Sequence, residues 1–357
     1  MMNTETNNVT TKSPPVSAAT MLPAAPADAP LPAARRDLAP LLLVPALILL
    51  MLPAVGSFPT WVTLTVAGLA MGMMIFIMAS GLTLVFGLMD VLNFGHGAFV
   101  SVGAYAATMV LIPMRGWLEA DALLLNLGVL GLAIAVAMLS TALLGWAFER
   151  IVIAPVYGQH LKQILITMGG MIVAEQSINV IWGAEQIPLP LPASLRGAVL
   201  LGDAAVEKYR LVAVVIGLVV FAGMFLVLNR SKIGLLIRAG VENREMVEAM
   251  GYRIRRLFVA VFAAGSALAG LGGVLWGLYK ETLNAAMGGE MMVMIFIVVI
   301  IGGLGSVGGC FIGALLMALV ANYAGFLLPK FALVSNIALM IAILLWRPAG
   351  LYSNLRR

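Results

Sequence analysis

Asn229-Arg-Ser-Lys-Ile-Gly-Leu-Leu-Ile-Arg-Ala-Gly-Val-Glu-Asn-Arg-Glu-Met-Val-Glu-Ala-Met-Gly-Tyr-Arg-Ile-Arg-Arg256 decides how the rest of the chain is read. In a polypeptide that is 62% hydrophobic and only 10% charged, this segment carries seven of the 21 Lys and Arg together with three Glu. Charge at that density cannot sit in hydrocarbon, so the segment lies in water between two membrane-buried spans. Within it, Asn243 can cap a short helix over about 244–250, with Glu245 in the first turn where the dipole favours an anion and Gly251 as a left-handed stop. Arg244 and Glu248 are four apart and can pair on one face. Met246, Val247, Ala249 and Met250 fall on the other. About seven residues are too few to hold a helix in water alone. The helix therefore packs on the chain's own membrane face or in a groove on a soluble partner, with the Met side chains as adaptable anchors.

Outward from this loop the composition is that of an integral membrane protein. Apolar runs of roughly 20 residues recur, each long enough as a helix to cross a hydrocarbon core of about 30 Å. No alternating ten-residue pattern suggests a membrane β-barrel. The fold class expected is all-α: a polytopic transmembrane helical bundle of eight to ten membrane segments, some broken or re-entrant, surrounded by membrane lipid. Candidate spans are 38–55, 60–88, 93–113, 122–148, 163–182, 211–228, 257–279, a broken pair over 291–328, and 331–346. The Pro-bearing connection 183–210 is long enough to form a small ordered cap. Residues 1–37, with Pro14-Pro15, Pro23, Pro26, Pro30 and Pro32, read as a disordered cytoplasmic tail. Residues 38–357 then form the transmembrane domain, and 229–256 its cytoplasmic loop.

The cations set the orientation. The N-terminal tail, 149–162, 230–256 and the tail from Arg347 hold 15 of the 21 Lys and Arg. The opposite loops hold Arg115, Arg196, Lys208, Arg210, Lys280 and Lys330. This positive-inside bias places both termini in the cytoplasm, which requires an even number of crossings; two legs for 291–328 give ten.

Two Gly-rich interruptions stand out: Gly81-Leu-Thr-Leu-Val-Phe-Gly-Leu-Met-Asp-Val-Leu-Asn-Phe-Gly-His-Gly-Ala-Phe99 and Ile300-Ile-Gly-Gly-Leu-Gly-Ser-Val-Gly-Gly-Cys-Phe-Ile-Gly313. Non-helical backbone is tolerated at membrane depth only where protein or a wet cavity satisfies it. Gly95, Gly97, Gly302, Gly303, Gly305, Gly308 and Gly309 are thus expected at helix breaks, which serve either a tight corner or a transport path. Glu175, Gln176 and Asn179 form a polar stripe inside a span. A charge at mid-bilayer costs about 2.5 to 3.5 kcal/mol, so the stripe faces protein or water, either lining a substrate route or bonding between helices. Asn93 and His96 can face the same way at the first break, as route or as packing. Asp90 reads as a span end, His160 as solvated surface and Cys310 as a small packing residue.

Gly-x-x-x-x-Gly-Lys-Ser/Thr occurs nowhere, and two His and one Cys at unrelated positions make no zinc site. Catalysis by this chain is not expected, nor a nucleic-acid partner, since the basic residues sit at span ends.

Several motifs in one order resemble the branched-chain amino-acid and urea type of ABC importer permease. They are Leu84-Val-Phe-Gly-Leu-Met-Asp-Val-Leu-Asn-Phe-Gly-His-Gly-Ala-Phe99 followed by Gly103-Ala-Tyr105, Glu149-Arg150 with Pro155, and Ala239-Gly-Val-Glu-Asn-Arg-Glu-Met-Val-Glu-Ala-Met-Gly251. Gly302-Gly-Leu-Gly-Ser-Val-Gly-Gly309 and Leu345-Trp-Arg-Pro-Ala-Gly-Leu351 complete the set. Gly95 stands where Ala is usual, and Ala98 where many relatives carry an acidic residue. The resemblance implies a type II-like permease fold in a bacterial inner membrane. It also implies that Glu242, Asn243, Arg244, Glu245, Met246, Val247, Met250 and Gly251 dock on a cytoplasmic ATPase. The implied partners are a second homologous permease, two ABC ATPase subunits that hold the ATP and Mg, and a periplasmic solute-binding protein. No cofactor is implied in this chain. Branched-chain amino acids are the first substrate implied, then other amino acids, urea or short amides. The rival reading from the residues is an ion-coupled secondary transporter using Glu175.

Overall fold

In a computed structural model, residues 38–352 are described, apart from the side chains of Val241, Glu242, Arg244 and Leu333. The disordered tail expected over 1–37 and the last five residues lie outside the described residues. Thirteen α-helices follow in order: α1 (Ala39–Val55), α2 (Phe58–Met89), α3 (His96–Leu111), α4 (Arg115–Glu119), α5 (Leu123–Phe148), α6 (His160–Trp182), α7 (Lys208–Arg230), α8 (Lys232–Glu242), α9 (Arg244–Ala249), α10 (Ile254–Lys280), α11 (Met287–Gly302), α12 (Val307–Leu327) and α13 (Ala332–Trp346). Six of them, α2, α5, α6, α7, α10 and α12, are long and apolar enough to cross a membrane; α1, α3, α11 and most of α13 are shorter apolar helices. The ten apolar helices correspond to the ten expected segments. A π-helical turn (Glu149–Ile153) and a 3-10 turn (Ala154–Val156) join α5 to α6.

Local chemistry explains the ends. Pro59 sits in the first turn of α2, where its missing N–H costs nothing. Asp90 ends that helix in the left-handed region (φ 51°) while its N–H bonds the Phe86 carbonyl. Gly303 (φ 92°) and Gly305 (φ 79°) reverse the chain after α11, and Ser306 Oγ accepts the Gly309 N–H at 3.1 Å to start α12. Leu351 N–H and Tyr352 N–H then bond the Ile301 and Gly302 carbonyls, which α11 has left without helical partners.

The centre of the bundle is α2 and α10 with α3, α5, α11 and α12 around them. Phe76 packs edge-on against Phe311 at 5.2 Å and Phe221 at 5.8 Å, joining α2, α12 and α7. Phe99, Phe148 and Phe262 join α3, α5 and α10 in the same manner. In lipid there is no hydrophobic drive between helices, so close van der Waals packing must hold them. The α3–α11 seam shows this: a methyl group on Gly97 would run into the Gly288 carbonyl, and the reverse holds as well.

The glycines expected at breaks divide accordingly. Gly95, Gly303 and Gly305 do lie in the interruptions. Gly97 lies inside α3, Gly302 closes α11, and Gly308 and Gly309 are in the first turn of α12. At Gly97, Gly302 and Gly309 the missing side chain admits a neighbouring backbone; Gly308 faces open space. The expected cap over 183–210 is present as two small antiparallel pairs. Strands β1 (Ile187–Pro188) and β4 (Thr282–Leu283) join the far ends of α6 and α10, and β2 (Ala198–Leu201) pairs with β3 (Ala204–Glu207).

Candidate functional site

The polar segment 229–256 folds into two helices where one was expected. Ser231 caps α8, its Oγ accepting the Gly234 N–H at 3.2 Å, and Leu236, Ile237 and Gly240 form the side turned inward. Asn243 then caps α9: its Oδ1 accepts the Met246 N–H at 2.9 Å. Glu245 is in the first turn, and Gly251 follows the helix at φ 87°. The inward face is narrower than the sequence suggests. Val247 is buried at 4% exposure, whereas Met246 and Met250 are 61% and 64% exposed. A six-residue helix turns only one side chain fully inward, because each residue advances the face by about 100°. Ala249 is also exposed, and Met250 caps the helix. The Glu242 and Arg244 side chains, and hence the expected pairing of Arg244 with Glu248, lie outside the described residues.

At the first break, six residues between α2 and α3 leave the helical ladder, and α6 supplies their partners. Gln163 Oε1 accepts the Leu92 N–H at 3.4 Å, and its Nε2 donates to the Val156 carbonyl at 3.1 Å. Thr167 Oγ1 accepts the Phe94 N–H at 3.1 Å and donates to the Gln163 carbonyl at 2.7 Å. Both side chains are fully buried. Sequence reasoning missed them; the available signal was two polar residues one helical turn apart in an otherwise apolar start of a span. Asn93 and His96 are also fully buried. Asn93 Oδ1 accepts the Gly95 N–H at 3.0 Å, and His96 Nε2–H donates to the Met78 carbonyl at 3.0 Å. With these bonds both side chains brace the junction. Asp90 and His160 lie outside it in water, 3.7 Å apart.

The expected α6 stripe separates into three environments. Glu175 is half-buried and borders a crevice of about 10 Å³, room for about one water, between α3, α6 and α11. Gly97, Ser101, Met171 and Gly288 are among its other walls. Ser101 ties that wall together, accepting the Gly288 N–H at 2.8 Å and donating to the Ala285 carbonyl at 3.1 Å. Asn179 is half-buried and Gln176 is exposed on the outer side of the helix.

At the other end of α5, the buried Glu149 accepts a hydrogen bond from Tyr157 OH at 2.5 Å, and its second oxygen finds no partner among the described residues. No group of three or more His, Cys, Asp or Glu among the described residues could hold a metal ion.

The profile of a family described as branched-chain amino acid transport system / permease component matches residues 64–344. The high-affinity branched-chain amino acid transport system permease protein BraD of Pseudomonas aeruginosa is 26% identical over 294 residues, covering 80% of this chain and 94% of that protein. The corresponding LivH protein of Escherichia coli is 27% identical over 293 residues, covering 80% and 92%. A probable branched-chain amino acid transport permease protein LivM of Methanocaldococcus jannaschii is 25% identical over 276 residues, covering 69% and 76%. No solved structure matches the chain.

Proposed function

The chain belongs to the family of branched-chain amino acid transport system permease components, and from that premise we propose that it forms half of an ATP-driven import pathway for branched-chain amino acids. It is a multi-pass membrane permease. In the proposed assembly a second permease of the family completes the pathway in a bacterial inner membrane. Two cytoplasmic ATPase subunits, which hold the ATP and Mg²⁺, drive it, and a periplasmic binding protein delivers the substrate. Both termini are cytoplasmic in this reading, supported by the 15 of 21 cations that fall on one side.

The observation that carries the reading is α9. Its cap and stop are well formed, and among its described side chains Val247 is buried while Met246 and Met250 turn to water. Two exposed thioether side chains on a short preformed helix are anchors for a groove on a soluble partner. Closure of the ATPase pair would then stabilise one of two arrangements of the spans attached through α8 and α10. Glu175 and Asn179 would border the route, Glu175 offering a carboxylate to the substrate ammonium.

Glu245→Lys combined with Met246→Asp is expected to leave membrane insertion intact and to abolish uptake and stimulated ATP hydrolysis in complexes reconstituted with the ATPase subunits. Uptake and ATPase stimulation equal to those of the unmodified complex would overturn the docking assignment.

A further inference from the structure

A second site lies beside α9. A cavity of about 600 Å³ opens where the π-helical end of α5 meets the start of α10. The guanidinium-bearing residues Arg150, Arg253, Arg255 and Arg256 line it, over a floor that includes the buried Ile254 and Val259. Glu248 is the one carboxylate on its lining, so four cations face one anion.

The backbone adds to this imbalance. The 27-residue α10 begins with Arg253 at its cap position, makes no side-chain cap bond there and has no acidic residue in its first turn. The positive end of the helix dipole favours anions, so Arg253, Arg255 and Arg256 at that end repel both it and one another. An anion seated among them relieves all of these repulsions, and a phosphate suits the planar guanidinium fork through paired hydrogen bonds.

The surroundings indicate where that phosphate comes from. Arg150 stacks over Trp146, its guanidinium carbon 4.9 Å from the ring centroid. Leu139, Leu143 and Trp146 are all exposed and follow one another along a single side of α5 at helical spacing, and Arg150 comes next in the π-helical turn that continues it. An apolar stripe ending in Trp and then Arg matches the layering of acyl chain, interface and headgroup. A soluble partner would have no use for the leucines. We propose that this cavity seats the phosphate of an anionic phospholipid whose acyl chains run along Leu139 and Leu143.

The test uses the full transporter complex in detergent, titrated with phosphatidylglycerol or phosphatidylcholine and read by native mass spectrometry. The unmodified complex should retain phosphatidylglycerol in preference to phosphatidylcholine. Arg150→Gln with Arg253→Gln should weaken that retention roughly 30-fold, at about fivefold per interfacial cation. Lys280→Gln with Lys330→Gln, distant in sequence from the cavity, should leave it unchanged. A photoactivatable phosphatidylglycerol should cross-link the unmodified complex within 139–150 or 253–259, a readout that does not depend on any variant folding. The proposal fails if the two lipids are retained equally, if both pairs of variants lose lipid alike, or if the cross-links fall elsewhere. It fails also if inorganic phosphate displaces the lipid at equal concentration, which would mark a soluble-anion site. Loss of the ATPase subunits with lipid retention unchanged would assign the cavity to protein docking and overturn it.

Discussion

Helices α6 and α7 are both 23 residues long, and only 11% of the apolar stretch of each is buried within the chain. By length and exposure they are interchangeable. By side chain they are not. Between Leu211 and Leu228, α7 carries no polar side chain, whereas α6 carries Gln163, Thr167, Glu175, Gln176, Ser177 and Asn179. Equal exposure therefore does not mean the same surroundings. The outer face of α7 is composed for hydrocarbon. On α6, Gln163 and Thr167 turn inward to hold the broken backbone, while Gln176 points outward, where lipid would leave its amide without hydrogen bonds. In the proposed assembly the outer side of α6 meets the second permease or the route between the two.

The sharpest way to break this comparison is to exchange the carboxylate. Val219, exposed at the middle of α7, becomes costly as Val219→Glu: about 2.5 to 3.5 kcal/mol against insertion, read as a fall in the membrane-integrated fraction. Glu175→Leu on α6 should leave that fraction unchanged and lower uptake instead. If α7 accepts the glutamate without loss, the two helices share one environment and the contrast is unfounded.

A smaller effect tests the inward side of α6. Thr167→Ala removes the acceptor for the part-buried Phe94 N–H, at a cost of about 1 to 3 kcal/mol. Thermal unfolding in detergent should occur earlier, and amide exchange should accelerate at Phe94 in particular. Unchanged protection at Phe94 would show that the break does not depend on α6. The counterpart on α7 is Tyr209, whose hydroxyl donates to the Leu275 carbonyl of α10 at 2.6 Å. Tyr209→Phe should cost about 1 kcal/mol, the usual net value of one such bond, as a modest drop in Tm with uptake preserved. A loss larger than that of Thr167→Ala would reverse the order of the two attachments.

Much of the organisation was legible in order along the chain. Asn243 as a cap, Gly251 as a stop, Asp90 at a span end and the reversal at Gly303 and Gly305 are local matters of φ angle and side-chain reach. The amphipathic α8 was legible but missed, since the charge of the segment masked the Leu236, Ile237 and Gly240 face. Other features were out of reach. Gln163 and Thr167 serve groups 71 and 73 residues away, and nothing in their neighbourhood states that a break elsewhere needs acceptors. His96 and Asn93 stayed open between route and packing because polar groups beside glycines are ambiguous until the covering helices are known.

The sequence by itself determined the class of molecule. Apolar runs of membrane length, cations gathered on alternate connections and Gly-rich interruptions follow from the solvent each segment must occupy, and a solvent preference is written in composition. Only the tertiary structure decided which face of each helix is spent on its neighbours. That choice depends on backbones approaching to within the width of a missing methyl group, as at Gly97 and Gly288, and on which distant helix completes a broken hydrogen-bond ladder. Periodicity identifies the faces a helix has; packing selects the one it buries.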